Sequence, residues 1–130
     1  MKPPWGRRRR EPPPPSGRSP LAIDVTRARF GAVVSIAGEL DIATVPRVSA
    51  ALQDEPAAGA EALVVDLSGV TFMDSTGLAA LMTLQRALDA RGGRLVIACP
   101  EGPARLVFDV AGVTGQLALY RTREDAEAAL

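Results

Sequence analysis

Val70-Thr71-Phe72-Met73-Asp74-Ser75-Thr76-Gly77-Leu78 sets a carboxylate and two hydroxyls side by side, between an apolar run and an apolar-striped helix. Asp74 is placed to act as a helix N-cap. Its carboxylate can accept from the free amides of the first turn and complements the positive end of the helix dipole. Ser75 then falls at the first helical position, with its hydroxyl toward the surface. A phosphate on Ser75 would add about −1.5 to −2 charges without breaking the helix that carries it. Gly77 is expected to leave the first turn bare, open to a partner's backbone or a nucleotide phosphate. On physics alone, a capped helix with no further role accounts for the same residues.

Other chemistries fall away on composition. The chain of 130 residues has no His and one Cys. Imidazole-dependent catalysis, a disulfide framework and cysteine-rich zinc sites are therefore excluded. Ser75 beside Asp74 does not make a hydrolase: Gly-x-Ser-x-Gly is absent, and the only lysine is Lys2. No phosphate-binding loop of the G-x-x-x-x-G-K-[ST] type occurs. Asp24, Asp41, Asp66 and Asp109 are scattered and read as solvated or loop carboxylates, not as metal ligands. Asp66, flanked by apolar residues, reads as the cap of a following turn. Cys99 ends an apolar strand and reads as an inert buried thiol. Phe72, Met73 and Phe108 read as core, with a contact role also open for Met73. No cofactor is expected.

The elements that must position the acid and hydroxyls follow from periodicity. Leu21, Ile23 and Val25 alternate with Ala22, Asp24 and Thr26, the pattern of a half-buried strand. A turn around Phe30-Gly31 leads to a second strand, Ala32 to Ile36, ending at Gly38. Val45, Val48, Ala51 and Leu52 mark a helix whose cap lies near Thr44, because Pro46 is tolerated only in a first turn. Leu63 to Leu67 is an interior strand. Leu78, Leu81, Leu84 and Leu88 stripe the next helix, closed by Gly92-Gly93. Leu95 to Cys99 is another interior strand. A short helix over 103–110 turns Leu106, Val107 and Val110 inward, a strand covers 117–120, and a helix covers 123–130. The order β-β-α-β-α-β-α-β-α predicts a single α/β domain with a mixed, mostly parallel sheet. An N-terminal β-hairpin forms its antiparallel edge, and helices pack on it.

The zero net charge hides two regions. Residues 1–20 carry six basic residues against one acidic, and hold seven of the eleven prolines. This basic Pro/Arg-rich arm cannot bury enough apolar surface to offset its ordering entropy, and is expected to be disordered. It has no apolar core of a secretory signal. Residues 21–130 hold nine basic residues against fourteen acidic and form the domain. An acidic domain argues against direct nucleic-acid binding. No stretch approaches the roughly 18 apolar residues of a membrane span.

Three blocks, in order, carry a resemblance. Gly38-Glu39-Leu40-Asp41 with Thr44, then Val64 to Leu78, then Arg105 to Val113, look like the STAS domain of bacterial anti-sigma factor antagonists. The Asp-Ser-[Ser/Thr]-Gly-Leu block is the most specific, and the arm is not covered. The resemblance implies a cytoplasmic, non-enzymatic phosphoprotein of transcription regulation, serving responses such as stress or sporulation. It also implies partner switching. Unmodified, the protein docks on an anti-sigma factor that is also a serine kinase and releases the sigma factor held there. The kinase then phosphorylates Ser75, with Thr76 a secondary acceptor, and a PP2C-type phosphatase reverses the step. The implied docking residues are Glu39, Asp41, Thr44, Met73, Asp74, Ser75, Thr76 and Gly77. The alternative is a non-catalytic STAS scaffold in a stress-signalling complex or a lipid-transport assembly.

Overall fold

Side-chain alternation along the strands sets the layers. A computed structural model of the chain describes residues 9–10, 21–57, 61–113 and 115–130. Its strands are β1 (Arg9–Arg10), β2 (Ala22–Ala28), β3 (Gly31–Leu40), β4 (Ala62–Met73), β5 (Arg94–Ala98) and β6 (Ala118–Tyr120). Its helices are α1 (Val45–Ala57), α2 (Ser75–Asp89), α3 (Pro103–Ala111) and α4 (Arg123–Ala128). The strands lie in one sheet in chain order. β1 and β2, and β2 and β3, pair antiparallel, while β3 to β6 run parallel to one another.

On one face, Ile23, Val25, Val34, Ile36, Leu63, Val65, Leu95 and Ile97 meet Val48 and Leu52 of α1, Leu81, Leu84 and Leu88 of α2, and Phe108 of α3. On the other, Val33, Val64, Val96 and Ala98 meet Ala126 of α4. Both faces of the central strands are covered, which is why β4 and β5 read as unbroken apolar runs. The five principal strands and four helices follow the order read from the sequence. Of the expectation for residues 1–20, all but Arg9–Arg10 lies outside the described residues. Those two place Arg9 opposite Val25 and Arg10 opposite Asp24. Among the described residues no helix is long and apolar enough to cross a membrane.

Three readings are corrected. First, β4 does not stop at Leu67 but runs on to Met73, because ten-residue β3 continues beside it to the pair Leu40–Met73. The pairing shifts register between Ser35 and Ala37 and again between Gly38 and Glu39. At the first irregularity the Asp66 carboxylate accepts from Ser68 N (2.9 Å) and Ser68 Oγ (2.6 Å), the local cap the sequence suggested. Gly69 lets the strands approach there, since a Cβ would sit 2.7 Å from that of Ala37. Second, α3 is rotated from the expected stripe. Ala104 and Phe108 are buried, whereas Leu106 and Val110 are 62% and 79% exposed. Leu106 lies two residues beyond Ala104, about 200° round a helix of 3.6 residues per turn, so the two cannot face the same way. Phe108, the larger side chain, takes the core. Third, Phe72 is not core but 47% exposed, because Met73 beside it faces inward at 3% and strand neighbours point oppositely.

Cys99 is 1% exposed, and burial pushes its thiol up to about 11, against an ordinary 9.0. The folded state thus favours the neutral thiol. That preference is fully present below pH 9.0 and is lost as pH rises toward 11. At pH 8 the native protein is expected to resist iodoacetamide over hours and to be alkylated at once in urea. Rapid native alkylation, followed by mass spectrometry, would contradict the burial.

Candidate functional site

Parallel pairing brings the two marked segments together. β3 and β4 are neighbours that end at the same edge, with Glu39 opposite Phe72 and Leu40 opposite Met73. Each then hands over to a helix, β3 through residues 41–44 to α1 and β4 through Asp74 to α2. The Asp74 amide donates to Leu40 O at 3.2 Å, tying one junction to the other.

Asp74 is the N-cap of α2, in extended conformation. Its Oδ1 accepts from Thr76 N at 2.9 Å, from Gly77 N at 3.4 Å and from the Thr76 hydroxyl. The Ile42 amide, from the other junction, lies near this carboxylate and makes the weakest contribution to stabilising its charge. The carboxyl is held below its ordinary 3.8, chiefly by the Thr76 hydroxyl. Partial burial opposes the shift, and the amides of Thr76, Gly77 and Ile42 reinforce it. Asp74 is therefore an anion at neutral pH. Ser75, the next residue, is exposed at the first position of α2, and its hydroxyl has no hydrogen-bond partner among the described residues.

The β3–α1 junction is braced from within. Thr44 Oγ1 donates to Glu39 O at 2.8 Å and accepts from Asp41 N at 3.0 Å. Asp41 Oδ1 accepts from Ala43 N at 2.9 Å and Thr44 N at 3.1 Å. This Asp–Thr reciprocity satisfies the Asp41, Ala43 and Thr44 amides in the turn that leads into α1. Glu39, Asp41 and Thr44 are half-buried, so they offer a partner edges of a rigid loop and not free side chains.

Two of the residues marked for docking point elsewhere. Met73 is buried and supports the patch from beneath. Gly77 does not face out: a Cβ there would lie 2.8 Å from Leu40 Cγ and 2.9 Å from Met73 Cγ. Its missing side chain admits the protein's own core, not a visitor. Conversely, two apolar residues beside the cap are exposed: Ile42 (75%), which the sequence reading passed over, and Phe72, which it read as core. The signal for Ile42 was present: an isoleucine between Asp41 and Thr44 fits no helical or strand period.

The arrangement can present one unpartnered hydroxyl on a rigid, locally anionic face with apolar residues close by. Among the described residues no three acidic or sulfur side chains gather to hold a metal.

Known proteins share this organisation. A family model described as Mlab, STAS domain, matches residues 15–120. The anti-sigma F factor antagonist of Lysinibacillus sphaericus is 30% identical over 95 residues, which are 72% of this chain and 80% of that protein. The crystal structure of an anti-sigma factor antagonist from Mycobacterium paratuberculosis aligns with a TM-score of 0.75 at 32% identity, covering 84% of this chain and 92% of that one. The Bacillus cell fate determinant SpoIIAA in its phosphorylated form aligns with a TM-score of 0.64 at 26% identity, covering 82% and 97%. With the family model, the sequence relative and the solved structures in agreement, the chain belongs to the STAS domain family of anti-sigma factor antagonists.

Proposed function

We propose that this protein is a phosphorylation-controlled anti-sigma factor antagonist of the bacterial cytoplasm. Unmodified, it docks through the edge formed by Glu39–Thr44 and Asp74–Thr76 onto an anti-sigma factor that is also a serine kinase. Docking frees the sigma factor, so the effect on transcription is indirect and needs no contact with DNA. The exposed, unpartnered Ser75 hydroxyl at the first position of α2 carries this reading. It is supported by a relative of the same fold known in a phosphorylated form.

The kinase supplies ATP, Mg²⁺ and the base. Ser75 Oγ attacks the γ-phosphorus, its proton passes to the kinase's base, and ADP leaves. The antagonist is a substrate, not a catalyst. The phosphoserine sets a dianion next to ionised Asp74, in the middle of the contact. Like charges and unmatched desolvation at an interface cost several kcal/mol, enough to dissociate a micromolar complex. A PP2C-type phosphatase removes the mark and restores docking. Ile42 and Phe72 supply apolar area to the same edge.

The test uses the full chain with a serine kinase of the anti-sigma type, ATP and Mg²⁺. Ser75→Ala is expected to bind the kinase and take up no phosphate. Ser75→Asp is expected to bind at least about tenfold more weakly than wild type, roughly 1.4 kcal/mol. Full phosphate incorporation into Ser75→Ala would remove the site assignment. Equal calorimetric affinity of wild type and Ser75→Asp would remove the switch, and would leave the non-catalytic scaffold as the better account.

A further inference from the structure

The site holds two adjacent hydroxyls, and the fold treats them differently. We infer that Thr76 is the positioning residue of this site and not a second phosphoacceptor: by giving its hydroxyl to Asp74 it leaves Ser75 alone facing outward. The inference rests on the reading of Ser75 as the acceptor.

The geometry is as follows. Thr76 Oγ1 donates to Asp74 Oδ1, and the Thr76 amide donates to the same oxygen at 2.9 Å. One residue thus grips the carboxylate with both its donors, as the Gly77 amide approaches that oxygen at 3.4 Å. A β-branched side chain has few χ1 rotamers, so this contact fixes the Thr76 oxygen against the cap. There it is half-buried, with its oxygen already committed to the Asp74 carboxylate. Ser75 has neither restraint: it is exposed, and its hydroxyl has no hydrogen-bond partner among the described residues.

The grip also reaches the neighbouring loop. The Ile42 amide of that loop lies near the Asp74 carboxylate that Thr76 grips. Holding the carboxylate at one orientation therefore adds to the tie that the Asp74 amide already makes to Leu40 O at the end of β3. Serine at position 76 retains the donor, whereas valine keeps the shape and removes it.

Two measurements decide the inference separately. The first needs no kinase: titrate the Asp74 side-chain carboxyl by carbon-13 NMR in wild type, Thr76→Val and Thr76→Ser. Thr76→Val is expected to raise the midpoint toward the ordinary carboxylate value and to shift the Ile42 amide resonance, and Thr76→Ser to restore both. An unchanged midpoint in folded Thr76→Val overturns the positioning role. The second maps phosphate by mass spectrometry on Ser75→Ala, using a serine kinase of the anti-sigma type that modifies the wild-type chain. Thr76 is expected to remain unmodified, and phosphate on Thr76 at a rate near that of wild-type Ser75 overturns its exclusion as acceptor. Should wild type take no phosphate at all, the proposed function fails, and the titration still judges Thr76 on its own.

Discussion

Phe108→Ala is expected to destabilise the domain by about 3–5 kcal/mol, the range for deleting a fully buried aromatic ring. Phe108 is 0% exposed and is the largest fully buried side chain among the described residues. α3 has nine residues and no side-chain cap at Gly102, so its own hydrogen bonds do not sustain it in water. What holds it is burial, and only Ala104 and Phe108 of its residues are fully buried. Removing the ring leaves a cavity against β4 and releases most of the helix's attachment. Urea unfolding should show the loss in the midpoint, and amide exchange should quicken across 103–111 before the rest of the sheet. Leu106→Ala, at 62% exposure, is expected to change stability by no more than about 0.5 kcal/mol. If the two variants unfolded alike, the orientation of α3 given above would be wrong.

That pair of residues also shows where sequence reasoning reaches its limit. The sequence located α3 to within a residue, 103–110 against the observed Pro103–Ala111. It did not fix the rotation, because Leu106, Val107, Phe108 and Val110 spread apolar residues over about 200° of the helix. Which side faces in is decided by the neighbour, and the neighbour here is β4, whose length was itself underestimated. Ser68-Gly69 looked like a break. In the fold it is an irregularity accommodated by Asp66 and by close approach to Ala37, with pairing resumed beyond it. By contrast α2 was fully legible: an Asp before a leucine stripe at spacings of three and four leaves one cap and one buried face. The site divides in the same way. The Asp74 cap and the exposed Ser75 follow from local rules about helix ends. That Thr76 turns back onto Asp74, that Gly77 faces Leu40, and that Ile42 reaches the same carboxylate depend on how β3 and β4 end together, and no local pattern encodes it.

Gly77→Val is expected to cost about 1–3 kcal/mol, the usual range for forcing extra atoms into a packed site. Glycine is a poor residue in a helix, so any side chain there starts with an advantage of a few tenths of a kcal/mol or more from propensity. Packing reverses the sign. A Cβ at this position would stand 2.8 Å from Leu40 Cγ and 2.9 Å from Met73 Cγ, neither of which is the free end of a flexible chain. Both are nearly unexposed and hemmed in by the main core, so yielding means moving the ends of β3 and β4. Leu40 O accepts from the Asp74 amide, and Leu40 leads directly into the 41–44 loop, so displacing Leu40 pulls on the cap and the loop together. The variant should therefore show a lower urea midpoint and, in NMR spectra of the folded protein, shifted Ile42 and Thr76 amides. A variant as stable as wild type, with those resonances unmoved but docking lost, would mean that Gly77 serves a partner's close approach, as the sequence first suggested. Stability lost along with the resonance shifts assigns the glycine to the protein's own interior, where its absent side chain lets one buried layer hold both halves of the docking edge in register.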